Sequence, residues 1–312
     1  MYTYPVPPVQ VTGPSTIEIH TMLKSPTLIA RRLRTLLDQR YIADRLLKGR
    51  FLAVGGAILY ETGEPIFTED DPEAVTPGAG YPQTKMSAGE LQTARTSKWG
   101  QDSPVFDEAI SRLGINPVDR AFTKLVNQSV RFVDGAALGV IASKVTRQFD
   151  VTAAGGPGAW TGDDAGNRIV EGVLLAKAQV TSLDEGYSPD VIVLNDAQWA
   201  KAVARLNANG LLPREAGNPV NSGVWPDALG LTWMASNHTP VANPMLLDTE
   251  QLGGMADEEI GGPGYVKTGG VGVETKSIRN EDNDSYMLRA RRTTVPVVLE
   301  GNAGVVITGT GL

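Results

Sequence analysis

Apolar positions along the chain alternate between helical and strand-like spacing in a definite order. The run SPTLIARRLRTLLDQRYIADRLLKG (25–49) places Leu28, Ile29, Leu33, Leu36, Leu37, Ile42, Leu46 and Leu47 on one stripe, with arginines opposite. That spacing predicts an amphipathic helix capped by Ser25, entered through Pro26 and stopped by Gly49. Upstream, the alternation in STIEIHTML (15–23) predicts a short edge strand, and downstream RFLAVGGAILYE (50–61) predicts a strand or hairpin arm kinked at Gly55-Gly56. The polar run TKMSAGELQTARTSKWGQDSP (84–104) supplies a returning arm, and FDEAISRLG (106–114) a short helix closed by Gly114.

The strongest helix comes next. Capped by Asn116, with Pro117 in its first turn, it carries Val118, Phe122, Leu125, Val126, Val133, Ala136, Ala137 and Val140 at helical spacing to about residue 145. At about 1.5 Å per residue it spans roughly 40 Å, long for a compact domain. A second amphipathic helix follows in IVEGVLLAKAQVTSLDEG (169–186). The strand VIVL (191–194) then leads through an Asn195-Asp196 cap into the helix AQWAKAVARL. Strands separated by proline turns fill 227–248, and long strands fill 271–309 on either side of the turn RNEDNDS (279–285). The order is α+β, with a mixed middle block inserted between parts of another unit.

Between the kinked strand and the returning arm lies YETGEPIFTEDDPEAVTPGAGYP (60–82). It holds Glu61, Glu64, Glu69, Asp70, Asp71 and Glu73 and no basic residue. Structureless connections beyond about 12–15 residues are uncommon inside compact domains and tend to be functional or disordered. The preceding stretch 24–50 is the converse: Lys24, Arg31, Arg32, Arg34, Arg40, Arg45, Lys48 and Arg50 outnumber Asp38 and Asp44. Blocks of opposite sign so close in sequence concern partners. The net charge of −7 argues against general affinity for nucleic acid, while 41% hydrophobic content provides for a packed core.

Candidate chemistry is sparse. With no cysteine and only His20 and His238, disulfides, thiolate zinc sites, cysteine nucleophiles and multi-histidine metal centres are excluded. No run has the 18 apolar residues of a membrane helix, and MYTYPVPPVQVTG is not a secretory signal. GGPGAW (155–160) and GGVGVE (269–274) match neither phosphate-binding fingerprint and read as turns. There is no GxSxG elbow, HExxH or EF-hand loop; His238 reads as a polar turn residue and EDND (281–284) as an Asx-rich turn. Glu69-Asp70-Asp71 reads as a solvated hairpin tip before a calcium site, and the five tryptophans form no ladder for single-stranded nucleic acid. The reading is of no enzyme, no cofactor and no metal, and of a protein that works through its surfaces.

Several stretches together resemble the major capsid proteins of tailed bacteriophages, most like those of phages infecting actinobacteria, whose fold encapsulin shells share. PTLIARRLRTLLDQRYIADRLLKGRFLAVGGAILYE resembles the N-terminal arm and first strand, the acidic hairpin the extended loop, and 117–145 the spine helix. PDVIVLNDAQWAKAV and LGLTWMASNHTPVANPMLLD are similar to axial-domain elements, and SYMLRARRTTVPVVLEGNAGVVITG to the terminal peripheral-domain strands. The resemblance implies an N-terminal arm (1–50), an extended loop (51–100), a peripheral domain (101–150 with 262–312) and an axial domain (151–261). It implies a shell subunit assembling into hexamers and pentamers of an icosahedral capsid around double-stranded DNA; the alternative is an encapsulin-type shell around protein cargo.

Its implied partners are other copies of itself, a portal, a decoration protein and weakly held DNA, with no membrane. Because the chain begins almost at the arm, without the fused scaffold some members carry, a separate scaffolding protein is expected. The implied location is the virion, assembled in host cytoplasm. The family's lysine–asparagine cross-link is not carried over, since neither Lys85 nor Lys98 matches its local pattern. Candidate inter-subunit contacts are Arg31, Arg32, Arg34 and Arg40 on the basic side, and Glu64, Ile66, Phe67, Glu69, Asp70, Asp71 and Tyr81 on the hairpin.

Overall fold

The computed structural model describes residues 14–37, 41–63, 73–84, 89–210, 227–238, 243–268 and 272–312. In chain order its elements are α1 (Thr16–Lys24), α2 (Pro26–Leu37), α3 (Ala43–Leu46), β1 (Gly49–Leu52), β2 (Ala57–Thr62), β3 (Glu90–Arg95), β4 (Ser97–Phe106), α4 (Asp107–Leu113) and α5 (Asn116–Lys144). There follow β5 (Gln148–Asp150), α6 (Ala165–Thr181), β6 (Val191–Leu194), α7 (Asp196–Ala208), β7 (Asp227–Ala228), β8 (Leu231–Ala235) and β9 (Met245–Leu247). The chain ends with β10 (Gly253–Asp257), β11 (Val266–Thr268), β12 (Val273–Asn280), β13 (Ser285–Val298) and β14 (Gly304–Thr308).

Several local expectations need correction. STIEIHTML is the helix α1 and not an edge strand. Ser15 Oγ accepts the Glu18 N–H at 3.3 Å while the Glu18 carboxylate accepts the Ser15 N–H at 2.7 Å, which satisfies two otherwise orphan donors. Ile19 and Leu23, four residues apart, are buried, whereas Ile17 is 79% exposed, so a helical period decides the face. Second, the helix predicted to run to Gly49 is two helices, α2 and α3. Asp134 of α5, fully buried, accepts the N–H groups of Ile42 and Ala43 at 3.2 and 3.0 Å and fixes the start of α3.

Gly49 opens β1 instead of stopping a helix. It lies opposite Gly254 in the parallel β1–β10 pair, and a Cβ on it would stand 2.9 Å from the Gly253 carbonyl oxygen. Third, Gly55 and Gly56 do not kink one strand but separate two. Both adopt positive φ, 69° and 82°, and the Val54 N–H reaches the Ala57 carbonyl at 3.3 Å across a two-residue turn. At the next boundary, Ile115 accepts the first bonds of α5, so Asn116 lies inside the helix rather than at its cap.

The chain forms two compact units: one from residues 1–40, 98–132 and 259–293, the other from 41–97, 133–258 and 294–312. Helix α5 and strand β13 run on from one to the other. In the first unit, β12 and β13 pair antiparallel from Val273↔Arg292 to Asn280↔Ser285, with β11 outside β12 and β4 against β13. Helix α2 packs on β11 and β12 through Ile29, Ala30 and Leu33, and α1 packs on α2 and α4. The turn between β12 and β13 is Asx-built, as its sequence suggests: Asn280 Oδ1 accepts the Asp282 N–H at 3.1 Å.

In the second unit, a mixed sheet runs β5-β14-β9-β6-β8-β7. Its central strand β6 is buried at all four positions, matching the unbroken apolar run VIVL. Asn195 caps α7 through a reciprocal pair with Gln198 at 2.7 and 3.1 Å. Helices α6 and α7 pack together over a core that includes Trp160, Val173, Val203, Trp233 and Ile307. The last part of β13 pairs with β10, which in turn carries β1.

Candidate inter-subunit surfaces

Strands β2 and β3 form a separate two-stranded ribbon in the second unit, in register from Ala57↔Arg95 to Thr62↔Glu90. Alternation splits its residues between two faces. One face lays Ile58, Tyr60 and Ala94 on a small core of Ala53, Ala256 and Val297. The other holds Leu59 and Leu91, 65% and 66% exposed, as diagonal neighbours. Glu258 anchors the ribbon's root, accepting the Gly56 N–H at 3.0 Å and the Thr96 hydroxyl at 2.7 Å. Lys144, at the end of α5, donates to Gln92 Oε1 at 2.9 Å.

The ribbon's connection spans 63–89. Its described part, 73–84, is exposed apart from half-buried Val75, and Tyr81 stands 86% exposed. Of the other predicted contact residues, Arg31 and Arg32 occupy exposed positions on α2, where Arg32 is engaged by Asp119 of α5 at 2.6 Å. The side chain of Arg34, and Arg40, Glu64, Ile66, Phe67, Glu69, Asp70 and Asp71, lie outside the described residues, as does Lys85.

A charged surface that sequence reading did not single out lies on β4 and β13 in the first unit. Arg289 grips Asp102 bidentately, Nε to Oδ1 at 2.7 Å and Nη2 to Oδ2 at 2.6 Å, and its Nη1 reaches the Tyr265 hydroxyl at 3.4 Å. Two residues on, and so on the same face, Arg291 pairs with buried Glu274 at 2.6 Å and lies 3.6 Å over the Tyr265 ring. Lys276 approaches that ring at 5.4 Å. The Arg289 hydrogen bond, with the neighbouring cations, holds the Tyr265 phenol below the usual tyrosine range against the opposing effect of burial.

Asp102, Tyr265, Arg289 and Arg291 border a cavity of about 490 Å³ that Lys98, Gly100 and Gln101 also line. A second cavity of about 340 Å³ shares Lys98, Gly100 and Gln101 as wall and adds Trp99 and Phe132, stacked with ring centroids 5.6 Å apart. The only local signal for this surface was the period-2 spacing of Arg289 and Arg291.

The architecture is the class of fold found in phage capsid subunits. The chain is similar to the capsid of cyanophage P-SCSP1u, with TM-score 0.58 and 9% identity over 84% of this chain and 86% of that one. It is similar to a Microbacterium phage Oxtober96 structure, with TM-score 0.52 and 16% identity over 86% and 91% of the two chains. It also resembles a virus-like particle from Pyrococcus furiosus, with TM-score 0.56 and 9% identity over 89% and 97%. No curated protein matches the sequence.

A family model described as phage capsid protein matches residues 89–307, and the chain belongs to that family. It is a phage capsid shell protein, of a structural family not known for enzymatic activity.

Proposed function

We propose that the chain is the subunit that builds hexamers and pentamers of an icosahedral shell around double-stranded DNA, without catalytic activity of its own. The ribbon β2–β3 and its acidic connection reach a neighbouring copy, and residues 101–150 with 262–312 and 151–261 act as peripheral and axial blocks. The observation that carries this reading is the ribbon. It buries only one face on its own chain, exposes Leu59 and Leu91 on the other, and carries a connection too long for a compact domain. Contacts between identical subunits that close by symmetry give such an arm a partner of fixed position.

Exposed charge pairs contribute only about 0–1 kcal/mol each, so Ile66, Phe67, Tyr81 and the ribbon leucines supply affinity while Glu64, Glu69, Asp70 and Asp71 set register. The basic helix, through Arg31, Arg32, Arg34 and Arg40, is one candidate receiver. A separate scaffolding protein, a portal, a decoration protein and weakly contacted DNA complete the partners, with assembly in host cytoplasm. Deleting residues 64–80 should leave a folded, soluble subunit that forms no closed shells by negative-stain microscopy. Normal particles from that variant would refute the arm. Shells that hold protein cargo and no nuclease-protected DNA would move the reading to an encapsulin-type compartment.

A further inference from the structure

The paired cavities on β4 have the composition of a receiving site. Lys98, Arg289 and Arg291 line the charged cavity with Asp102 and Tyr265, while Lys276 approaches the Tyr265 ring and Glu274 is the buried partner of Arg291. Arg289 is held by Asp102 and Arg291 by buried Glu274, so both guanidiniums are fixed in place with their charge largely offset. Lys98 is different: among the described residues no acceptor engages its ammonium, although it lines both cavities. Gly100 sits flush against β13, where a Cβ would come within 3.0 Å of the Arg291 Cβ, so no side chain projects from the middle of the shared wall. The adjoining cavity offers the Trp99–Phe132 stack to an apolar group, with the Gln101, Gln128 and Ser129 side chains for backbone hydrogen bonds.

An apolar anchor followed closely by carboxylates fits this pair of cavities. The chain contains that sequence in Ile66-Phe67-Thr68-Glu69-Asp70-Asp71. In extended chain the three steps from Phe67 to Asp70 cover about 10 Å, and the two cavities share Lys98, Gly100 and Gln101.

We propose that residues 66–71 of a second copy dock here, with Phe67 against Trp99 and Phe132 and the acidic triad facing Lys98 beside the paired Arg289 and Arg291. The docking rests on the shell reading above and names a receiver for the acidic segment other than helix α2, whose Arg32 already holds Asp119. Each copy then brings one segment and one site, a contact that propagates from subunit to subunit. A nucleic-acid phosphate would use the cations but leave the aromatic cavity unused, and the chain's net charge of −7 opposes it.

The absence of native cysteine makes the test direct. The double variant Asp70→Cys/Lys98→Cys is oxidised during assembly and run on non-reducing gels, beside differently tagged Asp70→Cys and Lys98→Cys chains expressed together. Interchain ladders from the first and a tagged heterodimer from the second are expected. A monomer-sized intrachain disulfide would overturn docking on a second copy, and cross-linking of Asp70→Cys to Arg31→Cys instead would assign the segment to α2. Closed particles with neither cross-link overturn the docking and leave the shell reading intact; failure of the unaltered chain to form particles overturns both.

In a second arm, Lys98→Glu slows assembly about tenfold at low salt, and adding Asp70→Lys and Asp71→Lys restores it. A Lys98→Glu variant that assembles at the normal rate but packages less nucleic acid identifies a phosphate site and refutes the segment.

Discussion

Arg291→Met should destabilise the first unit far more than any surface charge change. Arg291 and Glu274 lie directly opposite each other in the β12–β13 register, and both side chains are only 8% exposed. The guanidinium reaches Glu274 Oε2 through Nε at 2.7 Å and Nη2 at 2.6 Å, while Glu274 Oε1 accepts the Gly261 N–H at 3.0 Å. Removing the cation leaves a carboxylate under the sheet with one remaining donor. Breaking a buried pair from one side costs about 3–5 kcal/mol, because the surviving charge keeps its desolvation penalty.

For a chain of this size each kcal/mol moves the midpoint about 2–4 °C, so a loss of roughly 6–20 °C is expected. The double variant Glu274→Leu/Arg291→Met removes both charges and strands the Gly261 N–H and its carbonyl, which Arg291 also engages, at a cost of about 1–3 kcal/mol for each group left buried. Thermal and urea unfolding of unassembled subunit, followed by circular dichroism, measures all three proteins. The reasoning fails if Arg291→Met moves the midpoint by less than about 2 °C, the size expected of an exposed pair. It fails equally if the double variant is less stable than Arg291→Met, since that would mean the pair carries no desolvation penalty.

Acid should weaken the tie between α4 and β12. The Arg279 hydrogen bond at 2.8 Å holds the Asp107 carboxyl below its ordinary 3.8, so this contribution is complete above that value and is lost as pH falls through the lower folded-state value. Asp107→Asn should therefore flatten the stability-versus-pH curve at its acidic end, while costing only about 1 kcal/mol at pH 7; an unchanged acid limb would contradict the pairing. Gly254→Ala should prevent β1 from pairing with β10, because the new methyl would overlap the Gly49 backbone; overpacking of this kind costs about 1–3 kcal/mol or more, and loss of amide-exchange protection along 49–52 is the readout. Leu59→Ser with Leu91→Ser should leave the melting midpoint within about 2 °C, since both are already solvated, yet reduce closed shells seen by microscopy.

What was legible in the chain was what local chemistry decides. The buried run VIVL, the Asn195 cap and the turn at 281–284 each carry their cause within a few residues, and each folds as its sequence predicts. Residues 15–23 were ambiguous because Ile17, Ile19 and Leu23 satisfy both a two-residue and a four-residue period. The Ser15–Glu18 spacing was the available signal, and it favoured the helix. Gly49 was undecidable locally. A glycine after an apolar stripe ends a helix equally well, and only the Gly253-Gly254 backbone, some 200 residues away, makes it a point of close approach between strands.

The charged surface is less local still. Its cations come from β4, β12 and β13, its ring from the segment before β11, and its counter-charges from Asp102 and Glu274. No window of sequence contains them together. An acidic run with no basic residue of its own still leaves a trace: six carboxylates (61–73) with no neutralising charge among them indicate a partner that local sequence does not supply. Asp119 already engages Arg32, and among the described residues Lys98 remains an uncommitted cation on a wall shared by two cavities. For such a segment the informative quantity is therefore which cations the fold leaves unspent, and that can be counted only after the subunit has folded.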